Sequence, residues 1–507
     1  MKRKISKKRI SKKRIPKQKL ILRLKLKRKN VSQSQVPVSE IRFGTDGWRA
    51  VISDTFTFKN VAIVAQAISE WVNYDLRRKA GIPKKAAVGY DTRFLSSKYA
   101  EIVGRILAAN GIEVILSDSA IPTPALSFGV TQNDCIAGIM ITASHNPGYF
   151  NGIKIKTAQG GAAGSDVTGA VEGYLNKTEV KTIELEEATK EKKIVFHNFK
   201  ESYVKFLRSY LDLPKIKSSH FKVITDVMHG SGNGLMAEVL KGTNVRLTLM
   251  RDDINPSFDG GKPEPVVEYL SGILKRVKKE NFDLGLVLDG DADRIAAVAP
   301  GGEFIHPQKI LGLLILHLVR NRGRKGGIVK TICGTTMIDN IAKKLGLKLY
   351  ETPVGFKYIS ELMISENILV GGEEAGGMGL QNYIPERDGT LAGLLLLEMM
   401  VYQKKNIKKI VRDMESEFGH YYYQRSDMPL SKNEFDIDKI KTMKKVLGRK
   451  VIDVKDFDGV KLICDDESWL MFRPSGTEPL VRVYSEARSL SKAIKIIKFG
   501  ESLVKKG

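Results

Sequence analysis

From Ala86 onward, short apolar runs alternate with amphipathic stretches. AAVGYD has the character of a strand, Ser96 to Asn110 carries apolar residues at helical spacing, and IEVILSD and IAGIMITAS are further strands, the last ending in small and polar residues. The rhythm returns twice. FKVITDVMHGSGNG opens a second unit, with strands predicted near Val245 to Met250 and Leu284 to Leu288 and a helix near Val266 to Glu280. GGIVKTICGTT opens a third, with a helix running to Leu345, a strand at Lys348 to Glu351 and another in ILVGGEEAGG. Three like units in succession predict a repeated fold. In the last ninety or so residues, two helical stretches lead into three strand-like runs, GVKLICDD, SWLMFRPSG and LVRVYSEA, and a closing helix starts at Ser489. The expected class is α/β: three similar mixed α/β domains followed by a smaller α+β C-terminal domain. The predicted segments are a tail (1–37) and domains I (38–197), II (198–302), III (303–418) and IV (419–507). The glycine-rich stretch Gly160 to Gly164 reads as a flexible surface loop and not as a dinucleotide fingerprint, because no GxGxxG follows a strand there.

Composition changes this picture only at the amino terminus. The chain of 507 residues carries a formal net charge of +26, but residues 1–30 hold sixteen Lys and Arg and no acid, leaving 67 basic against 57 acidic residues. The body is then only about +10, a bias suited to drawing in anionic substrates. For the tail the plain expectation is a disordered arm or an upstream start codon, and a nucleic-acid or membrane-surface anchor is the functional alternative. Arg23, Lys25 and Lys27 interrupt what would be the apolar core of a secretory signal. The most apolar stretches, Ile310 to Val319 and Leu391 to Val401, fall short of the roughly 18 residues of a membrane span. Three scattered cysteines, Cys135, Cys333 and Cys464, predict no disulfide framework and fit a reducing, cytoplasmic setting.

Four constellations carry candidate chemistry. TASHNP, Thr142 to Pro147, places Ser144 on a loop at the carboxyl end of a strand, where open α/β sheets bind ligands. Serine is a weak nucleophile and needs activation, for which His145 and Lys154 are the nearby candidates; a polar turn closed by Asn146 and Pro147 is the plain alternative. In LGLVLDGDADR a buried strand runs into Asp289, Asp291 and Asp293 at spacing two, with small residues between. Three oxygens turned to one point suit a hard cation such as Mg²⁺ and an anionic partner, whereas a solvated acidic turn would leave three carboxylates repelling one another. In VGGEEAGGMG, glycines allow close backbone approach and the pair Glu373 and Glu374 supplies acceptors for sugar hydroxyls. In FRPSGTEP, Arg473 offers a planar fork for phosphate oxygens, and Ser475, Thr477 and the amides around Gly476 complete a cradle. The last two stretches also read as ordinary turns.

Taken together, RFGTDGWR, TASHNP, DGDADR, GEEAGG and RPSGTEP resemble, in order and approximate spacing, the α-D-phosphohexomutase superfamily, from about Ile41 to the end. The resemblance implies a heart-shaped four-domain architecture, with three domains alike and one different. It implies that Ser144 is a phosphoserine completing a site for one Mg²⁺ per chain with Asp289, Asp291 and Asp293. By the same resemblance Arg49, His145 and Lys154 handle protons and charge at the transferring phosphate, with Arg294 a further contact. Glu373 falls where sugar hydroxyls are bound, Gly355 and Lys357 in the loop that reads sugar identity, and Arg473, Ser475, Gly476 and Thr477 where the non-transferring phosphate is bound. Ala375, where many members have Ser, and Gly377, where several phosphomannomutases have His, leave the substrate open. The implied activity interconverts hexose 1-phosphate and hexose 6-phosphate, of glucose or mannose, through a hexose 1,6-bisphosphate that also serves as activator. Hexose phosphates would be its partners and the enzyme a monomer or dimer, with no membrane or nucleic-acid partner. Three alternatives stand beside this reading: a haloacid-dehalogenase-like phosphatase with Asp289 as nucleophile, a nucleic-acid-binding protein with an inactive mutase body, and a phosphoglucosamine mutase. ETPVGFKYI and GEEAGG look more like the glucose and mannose branch than the last of these.

Overall fold

The alternation of apolar runs folds as four sheets. The computed structural model describes residues 41–74, 83–430, 435–475 and 480–506, so the basic tail, 1–37, and Gly476 and Thr477 of the phosphate cradle lie outside the described residues. The first sheet holds β1 (Trp48–Val51), β2 (Lys85–Tyr90), β3 (Glu113–Ser117), β4 (Ala137–Ile141), β5 (Phe150–Thr157) and β6 (Ile194–His197), in the order β1-β5-β4-β2-β3-β6. The second holds β7 (Lys222–Asp226), β8 (Arg246–Met250), β9 (Leu284–Leu288), β10 (Ile295–Ala299) and β11 (Glu303–Ile305), ordered β11-β10-β9-β7-β8. The third holds β12 (Gly327–Thr331), β13 (Leu349–Thr352), β14 (Ile368–Gly372) and β15 (Met378–Leu380), ordered β13-β12-β14-β15.

One four-strand pattern underlies all three. In each, two strands pair in parallel, a third joins the first in parallel, and a fourth returns antiparallel to the third: β2, β3, β4, β5; then β7, β8, β9, β10; then β12, β13, β14, β15. The third strands AGIMI, LGLVL and ILVGG are buried at every position, as expected for parallel strands covered on both faces. Each fully buried Ile, Leu or Val there contributes about 1.5–3 kcal/mol, which anchors the strand and the loop that leaves it. TASHNP, DGDAD and GEEAGG are therefore the same loop in three copies, each between the third strand and its antiparallel return.

The fourth sheet is antiparallel throughout: β16 (Tyr422–Pro429), β17 (Lys445–Val446), β18 (Arg449–Lys455), β19 (Val460–Cys464), β20 (Trp469–Pro474) and β21 (Leu480–Ala487), in the order β16-β21-β20-β19-β18-β17. The closing helix Leu490–Lys506 packs on it.

Two local expectations fail. The helix expected over Val266 to Glu280 is a 3₁₀ turn, Val267–Tyr269, followed by an α-helix, Ser271–Lys279, because Leu270 leaves helical geometry at φ −106°, ψ 8°. Gly160 to Gly164 is not a flexible surface loop. Gly160 and Gly161 are buried, Ala162 bridges back to Lys156, and Gly161 sits against Ser360 and Pro385, so glycine here serves close packing. All three cysteines are buried and free. Among the described residues, no helix is long and apolar enough to cross a membrane.

Candidate active site

Ser144 heads the loop after β4 in a left-handed conformation, φ 52°, that a non-glycine residue adopts only when its surroundings impose it. Its amide donates to Thr142 Oγ1 at 2.9 Å, and Thr142 Oγ1 in turn donates to Asp91 Oδ2 at 2.6 Å. Arg93, buried beside Asp91, donates to the carbonyls of Ser144 (2.6 Å), Asn146 (2.6 Å), Pro147 (2.8 Å) and Phe150 (3.1 Å). One guanidinium thus ties down the whole loop. Sequence reading missed Asp91 and Arg93; the available signal was that DTR follows β2, the parallel neighbour of β4.

The serine loop meets the carboxylate loop directly. Ser144 Oγ donates to Asp289 Oδ2 at 2.8 Å, and the Arg294 amide donates to Asp289 Oδ1 at 3.1 Å. Gly290 permits this approach, since a Cβ there would overlap the Ser144 carbonyl oxygen. Ligand oxygens of Asp289, Asp291 and Asp293 lie within 4.8 Å of one another, all three residues fully buried. Asp291 Oδ2 accepts from Thr123 Oγ1 (2.5 Å) and Lys154 Nζ (2.7 Å); Asp293 Oδ2 accepts from Lys154 Nζ (2.8 Å) and pairs with Arg387 Nη2 (2.8 Å). Asp291 Oδ1 and Asp293 Oδ1 are buried with no hydrogen-bond partner. Two buried anionic acceptors without a hydrogen bond, beside Asp289, fit a divalent cation, because leaving such groups desolvated without hydrogen bonds is costly.

Charges around the cage are set by burial and by one another. Burial, then the charges of Asp293 and Asp291, push the Asp289 carboxyl well above its ordinary range. Burial also pushes Asp291 upward, but the charge and hydrogen bond of Lys154 outweigh it and hold this acid below the usual range. Burial disfavours the Lys154 ammonium, yet Asp291, Asp293 and Asp46 together raise its pKa above the ordinary lysine value. Lys154 lies on β5 with Lys156 two residues on, the same face; Lys156 pairs with buried Glu386. His145 stands with Nδ1 3.5 Å from Ser144 Oγ, and burial followed by the charges of Arg294, Arg49, Lys154 and Arg93 pushes its pKa well down, leaving a neutral ring.

Arg49 Nη1 donates to Asn146 Oδ1 at 3.0 Å and pairs with Asp46 at 3.2 Å. Arg294 Nε lies 3.8 Å from Asp293 Oδ1, and its backbone bridges to Gly377. Arg387, which sequence reading missed, joins the first three domains by pairing with Asp46 (2.7 Å), Asp293 (2.8 Å) and Glu373 (3.3 Å). Burial raises the Glu373 pKa, partly countered by Arg387. Glu373 and Glu374 have different partners: Glu373 pairs with Arg387, and Glu374 accepts from Thr331 Oγ1 at 3.0 Å. Successive residues of a tight turn project to different sides. Ala375 is half-buried beside them. Gly355 caps the helix Phe356–Ser365 at φ 130°, and Lys357 donates to Ser165 Oγ at 2.6 Å. In the fourth domain Arg473 Nε lies 2.9 Å from both Asp458 oxygens, and the Ser475 amide donates to the Leu480 carbonyl at 2.9 Å.

A serine held against a carboxylate cage, with a glutamate of the third unit tied to that cage through Arg387, within three repeated α/β units and an antiparallel fourth, is the arrangement of the four-domain sugar-phosphate mutases. Models of "Phosphoglucomutase/phosphomannomutase" alpha/beta/alpha domains I, II and III match residues 40–182, 201–302 and 306–418, and that of the C-terminal domain matches 430–498. The chain belongs to the phosphoglucomutase/phosphomannomutase family and is a mutase enzyme. It is 28% identical to the "Phosphoglucomutase/phosphomannomutase" of Thermococcus kodakarensis over 91% of this chain and 98% of that one. It is 30% identical to the "Probable phosphoglucosamine mutase" of Pyrococcus horikoshii over 91% and 97%. A solved structure of a candidate phosphomannomutase from Thermus thermophilus superposes with a TM-score of 0.81 at 32% identity, covering 92% of this chain and 99% of that one.

Proposed function

We propose that the enzyme interconverts the 1- and 6-phosphates of a hexose, glucose or mannose, through a phosphate carried on Ser144 and a bound hexose 1,6-bisphosphate. The observation that carries this is the 2.8 Å contact of Ser144 Oγ with Asp289, beside buried oxygens of Asp291 and Asp293 that accept no hydrogen bond. The phosphatase alternative, with Asp289 as nucleophile, gives Ser144 no role. Asp289, Asp291 and Asp293 would hold one Mg²⁺ together with an oxygen on Ser144; when bound, the cation neutralises charge on the transferring group.

The residues of the chain supply the rest. In the forward half-reaction the bond from phosphorus to Ser144 Oγ breaks, a bond from phosphorus to the free sugar hydroxyl oxygen forms, and the hydroxyl proton ends on Ser144 Oγ by way of neutral His145. The bisphosphate then turns round, and its other phosphate returns to Ser144 by the reverse steps. Arg49 and Arg294 offset charge on the phosphoryl oxygens, while Lys154 holds Asp291 and Asp293 in place. Glu373 accepts from sugar hydroxyls, Gly355 and Lys357 border the sugar, and Arg473 with Ser475, Gly476 and Thr477 grips whichever phosphate is not in transfer. The working site is cytoplasmic, the enzyme a monomer or dimer. Glucosamine is a second candidate sugar, favoured by the Pyrococcus horikoshii relative. A coupled assay on glucose, mannose and glucosamine 1-phosphates decides among them: turnover of the first two supports this reading, turnover of glucosamine 1-phosphate alone replaces the sugar, and turnover of none sinks it.

A further inference from the structure

The turn between β18 and β19, residues 456–459, makes two contacts that bear on different parts of the substrate. Asp458 places both carboxylate oxygens 2.9 Å from Nε of Arg473, and its Oδ2 also accepts from the amide of Val354 at 2.7 Å. Val354 precedes Gly355 and the helix carrying Lys357, and its side chain packs against a cluster formed by Ile332, Cys333, Trp469, Met471 and Tyr484. The turn is built to bring Asp458 there. Gly459 adopts φ 83°, and a Cβ on it would overlap the Phe472 carbonyl oxygen and lie 3.0 Å from the Arg473 Cα. On the other side, Lys455 Nζ reaches Glu351 Oε2 on β13 at 2.5 Å. One carboxylate therefore orients a phosphate-gripping side chain of the fourth domain and fixes the start of the sugar-bordering loop of the third.

We propose that Asp458 is a positioning residue that couples the phosphate grip of Arg473 to sugar discrimination by the 353–357 loop. The inference rests on the proposed hexose-phosphate activity. Asp458 takes Arg473 through Nε, which orients the guanidinium so that its terminal nitrogens face a phosphate. The same carboxylate holds the loop amide, so the arginine settles into position only with the loop in its sugar-reading conformation.

The test compares the full chain with D458N and D458A on glucose, mannose and glucosamine 1-phosphates, measuring kcat and KM separately together with the melting temperature. Asn keeps an oxygen for Val354 but loses the charge that orients Arg473. D458N should raise KM about 10-fold or more for every sugar, the scale of one lost charged hydrogen bond, while the ranking of the three sugars by kcat/KM is kept. D458A loses both contacts and should also bring the three kcat/KM values closer together. R473K should raise KM without altering the ranking. Unchanged KM in D458N overturns the proposal, as does a D458A enzyme whose sugar ranking matches wild type. If D458A does not fold, D458N decides alone. A wild-type enzyme that turns over none of the three sugars removes the functional reading itself, a result distinct from a wild type that turns over sugars alongside silent variants.

Discussion

Replacing Lys154 with Met keeps much of the side-chain volume and removes the one ammonium shared by Asp46, Asp291 and Asp293. Its Nζ lies 2.9, 2.7 and 2.8 Å from them, and Lys154 itself is 1% exposed. Breaking a buried ion pair by deleting one partner costs about 3–5 kcal/mol, because the remaining charge is left uncompensated. If the first domain melts as its own unit, that is a drop of about 6–20 °C. Mg²⁺ should stabilise the cage of both proteins, by about 2.7 kcal/mol at a hundred times the dissociation constant of each. The pH dependence has a definite sign. The Lys154 pKa is raised by its acids, so its contribution stays constant from pH 6 to 9. Asp291 is held below the unfolded value, so wild type and variant converge as pH falls below about 4 and that carboxylate takes up its proton. Differential scanning calorimetry of both proteins, with EDTA and with Mg²⁺, reads all of this. A variant that melts within 2 °C of wild type in EDTA (about 1 kcal/mol or less) would refute the charge balance assigned to the cage.

Asp291→Asn should weaken Mg²⁺ binding, measured by titration calorimetry, and excess EDTA should stop wild-type turnover until Mg²⁺ is restored. Glu373→Gln should lose about 1–3 kcal/mol of interaction with sugar hydroxyls, seen as a lower kcat/KM for glucose and mannose phosphates alike, with the phosphate on Ser144 retained. Burial raises the Asp388 carboxyl to about 6 although it accepts from Leu391 N and Tyr203 Oη. A raised acid withdraws stability as pH climbs from the unfolded value through the folded one. Asp388→Asn keeps the helix cap and should therefore gain on wild type between pH 4 and 7, by about 1–3 kcal/mol in thermal unfolding at pH 7.

Much of the fold was legible because the third strand of each repeat is apolar at every position and ends abruptly in small or charged residues, which marks both a buried strand and the loop that leaves it. The repeat itself was legible, though not the shared strand order, which depends on pairings between runs far apart in sequence. Gly160 to Gly164 misled because glycine in a linker and glycine at a packed crossing look alike until Ser360 and Pro385 are in place. The cage was legible in Asp289, Asp291 and Asp293, since their spacing is local. Their partners were not: Lys154 meets Asp291 across 137 positions, and Arg387 meets Asp46 across 341. Arg93 was hidden for another reason, because it acts on backbone carbonyls, which leave no trace in side-chain chemistry. The Thr331 partner of Glu374 was not legible either, on a strand 43 positions earlier.

The central claim is that Ser144 carries the phosphate in transit. The most direct measurement is peptide mass spectrometry of the purified enzyme, before and after incubation with glucose 1,6-bisphosphate and Mg²⁺, and again after a chase with excess glucose 6-phosphate. The account predicts one phosphate, on the peptide containing Ser144, that rises with the bisphosphate, falls with the chase and is missing from Ser144→Ala, which should also lose most turnover while melting as wild type does. A phosphate on another residue that follows the same rise and fall, or full turnover in Ser144→Ala, would contradict it.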